Sequence, residues 1–121
     1  MDEQGLDKIG ERVFNLQRAI HIREGHRGRE SDSLPEFDHT VPLAKKGGLN
    51  PESQVPGKDG EIISRMGAVV DREKFEKMKD EYYQLRGWDV ESGLQTKAKL
   101  MELGLEDIIK EARIATPHED L

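Results

Sequence analysis

The sequence predicts an all-α fold, a small irregular bundle of about four helices with a long loop between the first and second. Three observations carry that prediction. Apolar residues recur at steps of three and four in the first 24 positions, helix caps and glycine stops bracket later segments, and strand signals are weak. The only strand candidates are Ile62-Ile63 and Ala68-Val69-Val70, both short and beside glycine or charge. No internal repeat is visible, and no heptad run is long enough to argue for a coiled coil.

The first helix is expected from about Leu6 to Glu24, with Leu6, Ile9, Val13, Leu16 and Ile20 on one face and Gly25 as its stop. That stripe is the expected core face. Phe14, Ala19 and Ile22 fall off it, so a second surface has to cover them. From about 26 to 66 periodicity disappears into an irregular linker. It includes Lys45-Lys46-Gly47-Gly48-Leu49-Asn50-Pro51 and Val55-Pro56-Gly57-Lys58-Asp59-Gly60. Loops of such length in a small domain are uncommon and usually drape over a neighbour or stay disordered, which points to a neighbour outside this chain.

Asp71 is placed to cap a second helix whose apolar face is Phe75, Met78, Tyr82 and Leu85, ended by Gly87, after which Trp88 packs back. Thr96 caps a short third helix with Leu100 and Leu103, stopped by Gly104. A fourth helix from about Glu106 to Ala115 carries Ile108, Ile109 and Ala112 and ends before Pro117; the residues beyond it look like a frayed tail.

Composition narrows the chemistry. The 121 residues are 34% hydrophobic and 36% charged, with a formal net charge of −6, and the mean hydropathy is −0.80. One core is possible at this length, but a thin one. The acidic balance repels nucleic-acid phosphates and anionic membranes, so neither is an expected partner. With no cysteine, disulfides, thiolate nucleophiles, thiolate-bound zinc and cysteine-ligated iron–sulfur clusters are outside this chain's means. No signal-like start and no run of roughly 20 apolar residues is present, so a soluble cytoplasmic protein is expected.

Several constellations have plainer readings than the chemistry they suggest. Arg12, Arg18, Arg23, Arg27 and Arg29, interleaved with His21 and His26, could contact phosphates, but only Phe14 lies near and stacking platforms need several rings. Arginines paired with carboxylates, here or on a partner, are the expectation. His21 and Glu24 have a helical i, i+3 spacing, while His26, His39 and His118 lie outside any ligand pattern; a metal site is not expected. Gly57-Lys58 lacks the glycine and hydroxyl of a phosphate loop, since Glu52 and Asp59 stand there, and is expected to be a turn. Ser31, Ser33, Ser53, Ser64 and Ser92 have no nucleophile-elbow context. No carboxylate pair is set for acid–base work. No catalytic, cofactor-binding or metal-ligating residue is assigned in this chain.

Two blocks carry a resemblance. One is Ile9-Gly10-Glu11-Arg12-Val13-Phe14-Asn15-Leu16-Gln17-Arg18, continuing to Ile22-Arg23-Glu24-Gly25 and Asp32-Ser33-Leu34-Pro35. The other is Asp71 to Met78, continuing through Tyr82-Tyr83-Gln84-Leu85-Arg86-Gly87-Trp88-Asp89 to Gly93, Thr96, Leu100 and Leu103-Gly104-Leu105. In order and spacing the chain resembles the C-terminal region of the tungsten-containing aldehyde ferredoxin oxidoreductase family. The resemblance implies a parent enzyme that oxidises aldehydes, or runs related low-potential steps. Its tungsten or molybdenum ion would be held by two pterins, with a 4Fe-4S cluster passing electrons to ferredoxin.

The resemblance puts the family's cluster cysteines and its catalytic glutamate and histidine upstream of these blocks. Asp2-x-x-Gly5-Leu6-Asp7 fits the family's pterin-holding pattern, yet it abuts Gly10-Glu11-Arg12, whereas in the family it stands well before that helix. It is taken as coincidence. Departures are His21 where the family often has asparagine, the long linker, and the extended fourth helix. The expectation is one C-terminal helical domain over 1–121, a fragment or split subunit that is inactive alone and has the upstream cofactor-binding domains as partner. Gly10 would serve close helix packing, Gly25 and Gly87 would stop helices, and Arg12, Arg23 and Arg86 would be paired or interface charges. The alternative is an independent helical interaction module without redox activity.

Overall fold

The computed structural model describes residues 1–44 and 52–115. The stretch Lys45–Pro51, His118 and the expected tail lie outside the described residues. Within them run α1 (Glu3–Arg23), α2 (Glu36–Thr40), strands β1 (Gln54–Pro56) and β2 (Ile62–Ser64), α3 (Arg72–Arg86) and α4 (Lys97–Glu102), with single 3-10 turns at Gly28–Glu30 and Glu106–Ile108. The fold class is helical, the two-stranded sheet being minor. Two compact units emerge: Met1–Ser33 with Met78–Leu121, and Leu34–Lys77.

Local chemistry sets the helix ends. Asp2 caps α1, its carboxylate accepting the Gly5 amide at 2.8 Å, and Asp71 does the same for the Lys74 amide at 2.8 Å. Thr96 caps α4 by accepting from Lys99 N at 3.2 Å. Such caps satisfy amides that have no partner inside the helix. Gly25 and Gly87, with φ of 112° and 69°, end α1 and α3 in a conformation that side chains with a Cβ disfavour.

The buried faces correct the sequence expectation. In α1 the inward residues are Asn15, Ala19 and Ile22, whereas Leu6, Ile9, Val13, Leu16 and Ile20 are all exposed. In α3 they are Lys79 and Tyr83, while Met78, Tyr82 and Leu85 are exposed. Both helices bury a polar side chain that finds partners elsewhere in the unit, and those partnerships override the apolar period. The apolar core sits at the C-terminal side, where Leu100, Leu103 and Leu105 pack with Ile108, Ile109 and Ile114.

The expected fourth helix is replaced by a 3-10 turn followed by irregular turns. Three bonds there span three residues, Ile108 N to Leu105 O, Ile109 N to Glu106 O and Glu111 N to Ile108 O, a single bond spans four, Ala112 N to Ile108 O, and Ala115 N then bonds Gln95 O at 2.9 Å. Tight winding and that distant bond serve the packing of the isoleucines better than a short α-helix, which is marginal alone.

The linker also holds more structure than expected. In the unit Leu34–Lys77, β1 and β2 pair antiparallel with Val55 opposite Ile63, and Gly57-Lys58 lies in their connecting turn, where Gly57 N bonds Glu61 O at 2.6 Å. Ala68–Val70 forms no strand; Ala68 O and Val70 N bond Leu43 N and Asp38 O. His39 Nδ1 lies 2.8 Å from Val70 O, and Arg72 pairs with Glu36 at 2.7 Å.

Candidate functional site

The densest gathering of polar chemistry in the first unit centres on Asp32, just after the 3-10 turn that follows α1. Arg18 grips its carboxylate with both terminal nitrogens, at 2.8 and 2.6 Å, and donates also to Gly93 O at 2.8 Å. The Tyr83 hydroxyl donates to Asp32 Oδ2, His26 Nε2 stands 3.1 Å from Oδ1, and Lys79 Nζ donates to the Asp32 carbonyl at 2.9 Å. A planar guanidinium fork is the donor best matched to a carboxylate. Asp32 therefore ties α1 to α3, and Arg18 extends the tie to the loop after α3 through Gly93 O.

A second cluster adjoins the first through Trp88. Its indole N–H donates to Asn15 Oδ1 at 2.9 Å, and Gln95 Nε2 donates to Asn15 O and Oδ1 at 2.8 and 2.9 Å. Asn15 and Gln95 are fully buried. Burial of such amides is tolerated where they are hydrogen-bonded, as Asn15 and the Gln95 nitrogen are, while Gln95 Oε1 and Arg18 Nε are buried with no hydrogen-bond partner among the described residues. The Trp88 ring stacks on Phe14 with centroids 5.9 Å apart, and the Arg18 guanidinium lies 4.7 Å over it. Arg18 thus belongs to both clusters.

The loop is fitted closely. Arg29 N donates to Ser92 O at 2.7 Å, and its guanidinium bonds Asp80 at 2.6 Å and Val90 O at 2.8 Å. Gly93 has φ of 67°, and a Cβ there would stand 2.7 Å from Arg29 N and 3.0 Å from the Tyr83 hydroxyl. No side chain fits.

The arginines singled out in the sequence are engaged within the chain: Arg12 Nε with Leu103 O at 2.8 Å, Arg23 with Glu24 at 3.0 Å, Arg27 with Glu30 at 3.2 Å, and Arg86 over the Phe14 and Tyr82 rings at 5.1 and 5.3 Å. His21 and Glu24 are exposed at the end of α1. Nothing local in the sequence marks Lys79 or Gln95 as buried. An asparagine in the middle of a helix, opposite an apolar stripe, was the available signal for Asn15, because such a residue disfavours helix interiors unless bonded.

Electrostatics follow the clamp. Burial alone would raise the Asp32 pKa, but the Arg18 and Tyr83 hydrogen bonds and the nearby cations hold it below the usual carboxylate range. Burial, then the Asp32 hydrogen bond, push the Tyr83 phenol above its ordinary value. Lys99 is raised too, chiefly by its hydrogen bond to Glu11 at 2.9 Å.

For Asp32 the ionised form is favoured by folding, so its stabilisation is present above about pH 4 and lost as pH falls through the lower folded value. For Tyr83 and Lys99 the protonated forms are favoured. Their stabilisation is intact below about pH 10 and lost as pH rises from there toward the raised folded values. Urea midpoints measured across pH should show a plateau with an acid fall below about pH 4 and an alkaline fall above about pH 10. A Tyr83→Phe variant should have a weaker alkaline fall; an unchanged one would remove the phenol from this account.

The residues that hold the clamp are also those of the two sequence blocks: Asn15, Arg18, Asp32, Tyr83 and Trp88. The family described as aldehyde ferredoxin oxidoreductase, domains 2 and 3, matches residues 1–105. The chain belongs to this family. It is similar to the tungsten-containing aldehyde ferredoxin oxidoreductases of Pyrococcus abyssi, 35% identical, and Pyrococcus horikoshii, 34% identical. Each match runs over 102 residues, covering 84% of this chain and 13% of the relative. The Pyrococcus furiosus enzyme of the same name is 34% identical over 98 residues. The chain thus spans 13% of the length of the curated relatives it matches. No solved structure matches it.

The tungsten in the relatives' names can be tested against the donors present. Among the described residues no group of three or more His, Asp or Glu side chains could hold a metal ion. Asp2, in the segment that resembles a pterin motif, has its carboxylate on the Gly5 amide. Among the described residues no helix is long and apolar enough to cross a membrane.

Proposed function

We propose that this chain acts as the C-terminal helical domain of a tungsten- or molybdenum-containing aldehyde ferredoxin oxidoreductase-like enzyme, as one functional domain over 1–121, without catalytic residues of its own. The family signature supports this: its most recognisable side chains converge on a fold-holding clamp, so what the chain shares with the family is a way of building a rigid wall. The reaction, aldehyde to acid with electrons passed to ferredoxin, belongs in this reading to the whole enzyme. The bis-pterin metal centre and the 4Fe-4S cluster would be held by the cofactor-binding domains, which are this chain's partner. Nucleic acid and membrane have no part in the reading, and the cytoplasm is the compartment assigned.

The test is direct. Purified chain should carry no stoichiometric tungsten, molybdenum or iron by elemental analysis and should reduce no viologen dye with aldehydes. Stoichiometric metal, or turnover that survives chelation and repurification, would overturn the reading.

A further inference from the structure

The outer face of α1 is a feature the clamp leaves unexplained. Leu6, Ile9, Val13, Leu16 and Ile20 are 62, 45, 53, 40 and 42% exposed. Single exposed apolar residues are ordinary, but five in helical register make one continuous strip. At its C-terminal end the strip runs into a groove whose apolar floor of Leu16, Ala19, Ile20, Ile108 and Ala112 is edged by Arg23 and Glu111. Beside it stands Gly10, exposed in the middle of the helix, where an added Cβ would meet nothing within 4 Å. Glycine weakens a helix interior relative to other residues. Among the described residues nothing packs against Gly10, so the close helix packing expected of it finds no partner among them in this unit. Strip and glycine together describe a helix prepared for another polypeptide to lie against its backbone.

We propose that this strip, with Gly10 as the point of closest approach, is the docking surface for the cofactor-bearing remainder of the enzyme. The proposal rests on the function proposed above and adds where the contact is made. Length selects the occupant: the relatives match over 13% of their chain, and the remainder of such a polypeptide has to meet this segment somewhere. Chemistry selects the surface, because the strip has no charged side chain at its five positions and suits the apolar centre of a permanent interface.

The full 121-residue chain is tested against the Pyrococcus abyssi relative truncated to remove the matched segment, with that enzyme's own segment as control. Val13→Glu should leave the melting of the isolated chain unchanged and weaken capture at least tenfold. Gly10→Leu should raise the melting temperature by roughly 4 °C, since leucine is the better helix former, and still weaken capture. Opposite signs on stability and docking are what a merely structural glycine would not give.

Capture unaffected by either substitution overturns the docking surface and leaves the family role standing. Failure of the unaltered chain where the control is captured overturns both. Where neither is captured in trans, the variants are compared in cis, with residues 1–105 replacing the matched segment of the relative. A single cooperative melt that Val13→Glu splits supports the proposal, and one it leaves whole overturns it. A dimer of the unaltered chain dissolved by Val13→Glu assigns the strip to a second copy and overturns it. A large loss of stability in the isolated Val13→Glu monomer assigns the strip to a cover within the chain, with the same consequence.

Discussion

Asp32→Ala should destabilise the first unit by about 2–4 kcal/mol, somewhat below the range for a fully buried pair because the Asp32 side chain is 24% exposed. The cost comes mainly from what is left behind. Arg18, only 11% exposed, would keep its charge without its carboxylate, and the Tyr83 hydroxyl, on a residue 1% exposed, would lose its acceptor. Asp32→Asn keeps an oxygen for one donor and should cost less, which separates loss of charge from loss of shape. Because a small domain commonly has about 5–15 kcal/mol in total, the alanine variant should sit near its unfolding midpoint in modest urea. Trp88 is the chain's one tryptophan and lies over Arg18, so its fluorescence follows the event. A loss below about 1 kcal/mol would mean that the pair behaves as an exposed one and that the clamp does not hold the fold.

How far the sequence revealed this arrangement depends on the range of each interaction. Helix ends were readable because caps are local: Asp71, Thr96, Gly25 and Gly87 each act within a turn of their own position. Helix faces were not. Apolar period placed Leu6 to Ile20 inward, yet Asn15 is held by Trp88 and Gln95, 73 and 80 positions away, and no local pattern encodes such a partnership. The same holds for Lys79, whose ammonium reaches the Asp32 carbonyl. The short α2 and β1 were missed because three to five residues are too few for a period to show. The expected fourth helix failed where Ala115 is drawn to Gln95. The family blocks did contain Asn15, Arg18, Asp32, Tyr83 and Trp88, but their order along the chain does not say that they meet. That required the geometry, and it turned a signature into a mechanism of stability.

Trp88→Ala should cost at least as much as the loss of Asp32, in the range of about 3–5 kcal/mol for large aromatic truncations in cores. Three effects combine. The ring is 4% exposed and is packed by Phe14 at 5.9 Å and by Tyr82 and Tyr83 at 5.8 and 6.1 Å, so its removal leaves a cavity. Asn15 Oδ1 loses a donor, and Arg18 loses the ring beneath its guanidinium. Trp88→Phe keeps most of the ring and should recover most of the stability, short by about 1–2 kcal/mol for the missing indole hydrogen bond. Far-ultraviolet dichroism in urea measures both variants without the fluorophore.

The decisive comparison is the double variant of Asp32→Ala and Trp88→Ala. Arg18 touches both residues, so the two losses should fall short of additive by more than about 0.5 kcal/mol, the spread expected of independent sites. Additive losses would divide the clamp into two separate anchors, one ionic and one aromatic, joined by nothing but the helix that carries Arg18.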